Sequence, residues 1–336
     1  MKKIVLLLFV IITIKPFLFS QVIKGTVFEY NTHTPVRYAT VYFNGTFIGT
    51  SSDRQGNFKL NSIKDIPLTV SAIGYYSVTI SDFSKNKPLV IYLKPKIYEL
   101  EDVVIQSKSL ARKRRRYLRL FKEEFIGTTN NAEECEILNE KDITFNYDSD
   151  DDTIKAYALK PILIKNNALG YKITYYLDKF EYYKNTRATF FSGNFIFTQD
   201  LTNDNTKPQL YYQQRKKTYQ GSRMHFIRVL STGNLKKSAF IVKDTKNKRL
   251  KINDLVYIDN KSNTFLRNKG KIIIEYKNPK HFYDYTIRKS GLEFFDDLIY
   301  FDESGFFNPG LKWNGDMGQQ RMADWLPYEY TLDRVE

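Results

Sequence analysis

Three histidines, His33, His225 and His281, are all the imidazole the chain offers for zinc or general-base chemistry. A catalytic zinc needs three fixed protein ligands and an open position. Three residues after His33 stands Val36, and three after His225 stands Arg228. Only His281 has a carboxylate at that spacing, Asp284, and no third ligand stands beside the pair. Asp148, Asp150 and Asp152 imitate the opening of a calcium loop. Thr153 sits where the sharp turn needs Gly, and Leu159 where a bidentate Glu should close the site, so a solvated hairpin turn is expected. Cys135 is the single cysteine and has no His near it in sequence to lower its pKa, so it reads as a small buried hydrophobe. The chain has no Walker-type phosphate loop, dinucleotide fingerprint or G-x-S-x-G elbow. The reading is a chain without catalytic residues, cofactor or metal. Carboxylates are plentiful and sequence does not pair them across a cleft, so a hydrolase of unrecognised type in the second part is the alternative.

Two runs suit binding rather than catalysis. Tyr171, Tyr175, Tyr176, Tyr182 and Tyr183 could form a sugar-stacking platform, although aromatic residues in strands also serve as core and cross-strand pairs. Arg112, Lys113, Arg114, Arg115 and Arg116 could contact an anionic surface, and a solvated helix with one apolar face would carry the same run. The net charge is +15. For an exported protein that charge suits lipid headgroups, lipopolysaccharide phosphates or an acidic partner better than nucleic acid, and it also favours solubility.

Export follows from the first twenty residues. Met1-Lys2-Lys3 is a positive start, Ile4–Ile14 an apolar run of secretory length, and Ser20 a small residue before Gln21. Lys15-Pro16 interrupts the run, which is short for a membrane anchor. No Cys follows, which excludes a lipoprotein anchor. Residues 1–20 are therefore expected to be a signal peptide, and the protein to be periplasmic, outer-membrane-associated or surface-exposed. An exported chain with one cysteine must be held by its hydrophobic cores.

Residues 21–95 alternate as short strands do. Val22–Tyr30 is the first run. Ala39, Val41 and Phe43 point to one face, and Thr40 and Tyr42 to the other. Asn44-Gly45 signals a two-residue hairpin, after which Phe47–Thr50 returns. Asp53 to Gly56 makes the next turn. Phe58 with Leu60, Leu68 to Ala72 with Thr69 and Ser71 facing away, Val78 with Ile80, and Leu89 to Leu93 complete seven strands. Gly56 and Gly74 interrupt alternation where positive φ or close approach is expected. This pattern predicts a small β-sandwich.

The motifs within it are specific. Gly25-Thr26-Val27, Pro35 with Ala39 and Val41, Gly45-Thr46, Asp53 with Gly56 and Phe58, and Ile73-Gly74-Tyr75 resemble the carboxypeptidase-regulatory-like domain, a transthyretin-type sandwich. The resemblance implies a Bacteroidota envelope protein. It implies no peptidase, because the family name refers to a domain appended to carboxypeptidases and not to their catalytic part. Gly25, Pro35, Gly45, Asp53, Gly56, Phe58, Gly74 and Tyr75 are structural residues on this reading.

Residues 96–125 read as a linker with a basic amphipathic helix over 108–125, with Leu110, Tyr117, Phe121 and Phe125 at helical spacing. Residues 126–336 read as a larger β-rich domain of unknown function with short helices over 222–230 and 316–325. Phe125-Ile126-Gly127, Ala168-Leu169-Gly170-Tyr171, Gly221-Ser222 with His225-Phe226, and Leu326-Pro327-Tyr328 resemble a module of unassigned activity that follows this sandwich elsewhere. The chain is too short for the plug and full barrel of a TonB-dependent receptor. The expected protein is mainly β and non-catalytic. It would be a binding or docking module for an envelope protein or a glycan.

Overall fold

The computed structural model describes residues 21–62, 66–81, 87–96, 108–200, 207–281 and 284–332. The expected leader, residues 1–20, lies outside them. The described residues form two compact units. One takes in the residues to Tyr42 together with Gly49–Pro95, and the other Phe43–Ile48 and the chain from Lys96. Among the described residues no helix is long and apolar enough to cross a membrane.

The first unit is the seven-stranded β region that alternation predicts. Its strands are β1 (Gln21–Glu29), β2 (Thr40–Phe43), β3 (Gly49–Ser51), β4 (Asn57–Ser62), β5 (Leu68–Ser71), β6 (Val78–Ile80) and β7 (Leu89–Leu93). They make a three-stranded sheet, β4-β1-β7, and a four-stranded sheet, β3-β2-β5-β6. Strand β1 runs antiparallel to β4 and parallel to β7, so Gly25 lies opposite both Phe58 and Leu89. The absence of a side chain at Gly25 leaves room for the Phe58 ring. Ile23, Val27, Val41, Leu60, Leu68, Val70, Ile91 and Leu93 are buried, each such side chain stabilising the fold by about 1.5–3 kcal/mol. Pro35 bridges to Phe28, and Tyr75 to Pro95. Asp53 Oδ1 accepts from the Gln55 and Asn57 amides at 2.9 and 2.8 Å, which closes the turn before β4.

Three residues depart from the alternation. Tyr42, Thr69 and Ser71 were expected on outer faces and are fully buried. Their hydroxyls bond to one another or to neighbours, Tyr42 to Ser71 at 3.0 Å, Ser71 to Ser77 at 2.6 Å and Thr69 to Thr79 at 3.1 Å. Burial of a hydroxyl is tolerable when it is bonded, and strand periodicity does not reveal such pairs.

The second unit begins with helix α1 (Lys108–Phe125) and the single turn α2 (Asn130–Glu133). Strands β8 (Cys135–Ile137), β9 (Ile143–Asp148), β10 (Thr153–Ala158), β11 (Ile162–Asn166), β12 (Tyr171–Tyr183) and β13 (Ala188–Gln199) follow. They form one sheet in which the long β12 pairs with β13 on one edge and with β11 and β10 on the other. Helix α1 is part of this unit rather than a linker. Its Tyr117, Phe121 and Phe125 are buried, and Phe121 lies 4.7 Å from Phe180 and Phe125 4.8 Å from Tyr175, ring to ring. A bulge in β12 at Asp178 receives the buried Lys96, whose Nζ donates to Leu177 O at 2.9 Å. The expected two-residue turn at Asn44-Gly45 is instead a longer loop. Asn44 Oδ1 accepts from Phe195 N and Gly45 N donates to Phe195 O, so both residues are held by β13 rather than by their own hairpin.

Helix α3 (Lys207–Tyr219) adds Tyr219 to the same core as Phe121 and Phe125. A second core in the same unit is built by α4 (Arg223–Ser231), β14 (Phe240–Asp244), α5 (Ile252–Leu255) and β15 (Val256–Ile258), continuing through β16 (Thr264–Arg267), β17 (Ile272–His281), β18 (Asp284–Phe294), β19 (Leu298–Phe301), β20 (Leu311–Asn314) and α6 (Gly315–Gln319). The sheets are β14-β17-β18-β20 and β15-β16-β19. Phe226, Phe240, Leu266, Ile274, Leu292 and Phe301 fill the space around α4. The single helix expected over 316–325 is two pieces, α6 and a 3-10 turn at Met322–Asp324. Gln320 and Arg321 take extended backbone between them, and Arg223 satisfies the carbonyls left over. Its Nε donates to Met317 O and its Nη2 to Gln320 O, both at 2.7 Å, where a continued helix would need those carbonyls.

Gly56 and Gly74 have φ of +78° and +81°. A Cβ at Gly56 would lie 2.5 Å from the Val27 carbonyl oxygen, whereas one at Gly74 would meet nothing within 4 Å. Gly74→Ala should therefore cost only left-handed strain, about 1 kcal/mol, and Gly56→Ala about 2–4 kcal/mol. Urea unfolding of the full-length variants measures both, and equal losses would show that the approach to Val27 is not limiting.

Candidate functional site

A polar cluster organises the second unit where α2, α3 and the 322–324 turn meet. The buried Asp324 accepts from Thr129 Oγ1 at 2.9 Å and Asn131 Nδ2 at 2.8 Å, both on Oδ1. Asn131 Nδ2 also reaches Thr218 Oγ1, and its Oδ1 accepts from Gln214 Nε2 at 2.6 Å. Asp324 Oδ2 is buried and has no hydrogen-bond partner among the described residues. Burial pushes this carboxyl pKa up, against the pull of its hydrogen bonds and of Arg223. Arg223 is itself pulled down to about 9 by burial and by Arg321, which Asp324 opposes.

The residues best suited to nucleophilic or base chemistry are committed elsewhere. Cys135 donates to Asn131 O at 3.2 Å, and burial, with Asp324 and Glu134, pushes its thiol up to about 12. His225 sits in the first turn of α4, capped by Ser222. Its Nδ1 accepts from the Gly221 amide at 3.0 Å, so the neutral ring carries its proton on Nε2 and keeps no free lone pair. Tyr219, Phe240 and Tyr276 surround it at 4.7, 4.9 and 5.7 Å. Burial, then Arg228 and Arg288, pulls its pKa down to about 4. His33 stands in a turn at φ +55°, its ring 5.3 Å from Tyr92. His281 and Asp284 are opposed in the β17–β18 register, and their side chains lie outside the described residues. No group of three His, Cys, Asp or Glu side chains that could hold a metal gathers among the described residues.

The structure separates the other predicted residues. The Asp148–Asp152 turn closes the β9–β10 hairpin, with Asp148 paired to Lys155 at 2.8 Å and Asp152 to Lys184 at 2.6 Å. The tyrosine platform does not form, because Tyr171, Tyr175 and Tyr176 are buried in the core. Of the five basic residues, Arg112, Lys113, Arg115 and Arg116 are exposed. Arg114 is not, and donates to Ile143 O at 2.7 Å and Glu140 O at 2.8 Å.

Two grooves flank α2. One, of about 330 Å³, lies beside the second half of α1 and is lined by Arg115, Leu118, Arg119, Lys122 and Ile126, with Ala132 and Cys135 across from them. The other, of about 750 Å³, runs between α2, the β11–β12 turn and α3. Asn130, Glu133, Asn167, Tyr211 and Gln213 line it, and the half-buried Tyr211 rests its ring against Gly170. Sequence reasoning missed this groove because α3 was not expected. Leu210, Tyr211 and Tyr212 are consecutive rather than spaced for one helical face.

Residues 23–105 match the family model described as CarboxypepD_reg-like domain, in agreement with the motifs of the N-terminal strands. No curated protein matches the chain.

His225 makes stability depend on pH. Its folded pKa, about 4, lies below its ordinary 6.5. Above pH 6.5 neither state is charged, and its contribution is complete. Between 6.5 and 4 the unfolded chain binds a proton that the folded chain refuses, so stability should fall by up to about 3 kcal/mol, with no further loss from this group below pH 4. Urea midpoints at pH 7.5 and 4.5 should show this loss, and His225→Gln should flatten the difference. An identical pH dependence in the variant would exclude His225 as its source.

Proposed function

We propose that the protein is an exported, non-catalytic binding module of the Bacteroidota cell envelope, periplasmic or outer-membrane-associated, whose second unit takes a glycan in the groove between α2 and α3. The composition of that groove carries the reading. Sugar hydroxyls both donate and accept hydrogen bonds, and the C–H faces of sugar rings rest on aromatic rings. Asn130, Asn167 and Gln213 offer amides that do both, Glu133 and Glu134 offer acceptors, and Tyr211 offers a ring steadied from behind by Gly170. These groups are exposed or half-buried, so they are open to a solute. The N-terminal CarboxypepD_reg-like domain is consistent with a module that carries no chemistry of its own. The committed states of Cys135 and His225 support the same conclusion.

Affinity electrophoresis of the full chain through gels containing dextran, laminarin, pectin or glycol chitin should show retardation by at least one polymer. Tyr211→Ala should remove most of it, because the aromatic face that a sugar ring would cover is lost, at about 25 cal/mol per Å² of apolar surface. Retardation unchanged in Tyr211→Ala, or absent from every gel, would sink the glycan reading. An envelope protein captured equally by the variant would place the partner elsewhere on the molecule.

Export has its own check. Cell fractionation followed by N-terminal sequencing should give a mature chain starting near Gln21, outside the cytoplasm. An intact Met1 in the cytosolic fraction would refute it.

A further inference from the structure

Helix α1 holds eight basic residues and two acids in eighteen positions. Tyr117, Phe121 and Phe125 fix its inner face against the first core of the second unit. At 100° per residue the opposite face belongs to Arg112, Arg115, Arg116 and Arg119, all exposed. This face is badly placed for the helix itself. The first turn holds no acid to offset the positive end of the dipole. Arg112 with Arg116, and Arg115 with Arg119, are like charges four residues apart, which destabilise a helix. The described residues provide little compensation. Arg119 meets Glu123 only at 3.9 Å with both side chains largely exposed, and Arg112 and Arg115 have no ion pair among the described residues. The fold can satisfy an arginine's donors where it needs one, as Arg114 shows by donating to two carbonyls.

The groove beside this face sharpens the chemistry. Arg115, Arg119 and Lys122 line it with a single carboxylate, Glu123, and Leu118 and Ile126 supply apolar lining. Lys122 is already held by Glu140 at 2.8 Å, and Arg119 faces Glu123 only at 3.9 Å, which leaves Arg115 unpaired among the described residues and Arg119 loosely held. A guanidinium grips a phosphate with two parallel hydrogen bonds. Volume of about 330 Å³ admits a phosphate with a short apolar extension and is too small for a folded segment of protein. The charged face continues beyond the groove along a straight helix for about 10 Å from Arg112 to Arg119. That combination, one seat for a phosphate within an extended cationic plane, matches a layer of phosphates better than a single acidic ligand.

We propose that the outer face of α1 docks the protein on an anionic phospholipid surface, with Arg115 and Arg119 seating one headgroup phosphate in the adjoining groove. The full chain should sediment with vesicles of phosphatidylglycerol in phosphatidylcholine, should not sediment with phosphatidylcholine alone, and should be released as salt rises. Arg115→Gln with Arg119→Gln should weaken binding roughly tenfold to thirtyfold. Lys246→Gln with Lys248→Gln removes the same charge from an exposed turn of the second unit and should weaken it less than about threefold. Equal losses in the two double variants would mean diffuse charge only and would overturn the proposal, as would binding to phosphatidylcholine alone. Displacement from vesicles by millimolar glycerol phosphate would assign the groove to a soluble phosphate and overturn the membrane source. Tyr211→Ala should bind vesicles like the parent, so failure of the glycan reading and failure of this one are separable.

Discussion

The Asp324 carboxylate is the constraint on which the second unit's surface depends. Helix α2 is a single turn, and Thr129 places no side-chain cap on it. A turn of that length does not persist alone. Thr129 and Asn131 instead donate to Asp324, and Asn131 ties in Thr218 and Gln214 of α3. Residues nearly two hundred positions apart therefore hold α2 between the two grooves, and each groove takes one wall from it. Burying a carboxylate with one unbonded oxygen is unfavourable in itself. Arg223 offsets part of that through charge, and the direction of both pKa shifts shows the remainder as tension towards the neutral forms.

Arginine serves this fold in two distinct ways. The segment from Met317 to Tyr330 has short helical turns and little strand, so its carbonyls lack regular partners. Arg223 takes Met317 O and Gln320 O, while Arg228 takes Ser304 O, Tyr328 O and Tyr330 O. Arg321 donates to Glu124 O and to Gly318 O, and Arg114 to Glu140 O and Ile143 O. A guanidinium has five donors in a rigid plane, which lets one side chain satisfy carbonyls from separate segments. A net charge of +15 is thus not a surface quantity alone. Part is consumed in main-chain closure, and the part on α1 remains for solvent or a partner.

What could be read from sequence was local. The seven N-terminal strands were legible because Pro35, Asp53 and Gly56 sit at turns and apolar residues alternate between them. The aromatic spacing of 117, 121 and 125 predicted α1 and its apolar face. The same spacing could not say that this face belongs to a core, because the answer lies in Tyr175 and Phe180 on β12. Tyr171 and Tyr175 were open to two readings for the same reason. A tyrosine on a strand looks alike whether its face is covered or bare, and here both are covered. Helix α3 gave no periodic signal. The pairing of Asn131 with Asp324 gave none either, since neither residue lies in a motif and the contact spans 193 positions.

Two buried titratable groups, Cys135 and His225, are both shifted so as to stay neutral. A working base or nucleophile needs a pKa near the operating pH and a free lone pair or thiolate. Burial moves Cys135 far above that range and His225 far below it. The Gly221 amide then occupies the only lone pair of the neutral His225 ring. Each shift follows from placing a polar side chain where packing or backbone closure required it, and Cys135, although it lines the smaller groove, keeps its proton. The exposed amides of the larger groove and the exposed guanidinium groups of α1 keep donors and acceptors open to solvent. Their chemistry is hydrogen bonding and charge pairing at an open surface, and the binding role proposed for the second unit rests on it.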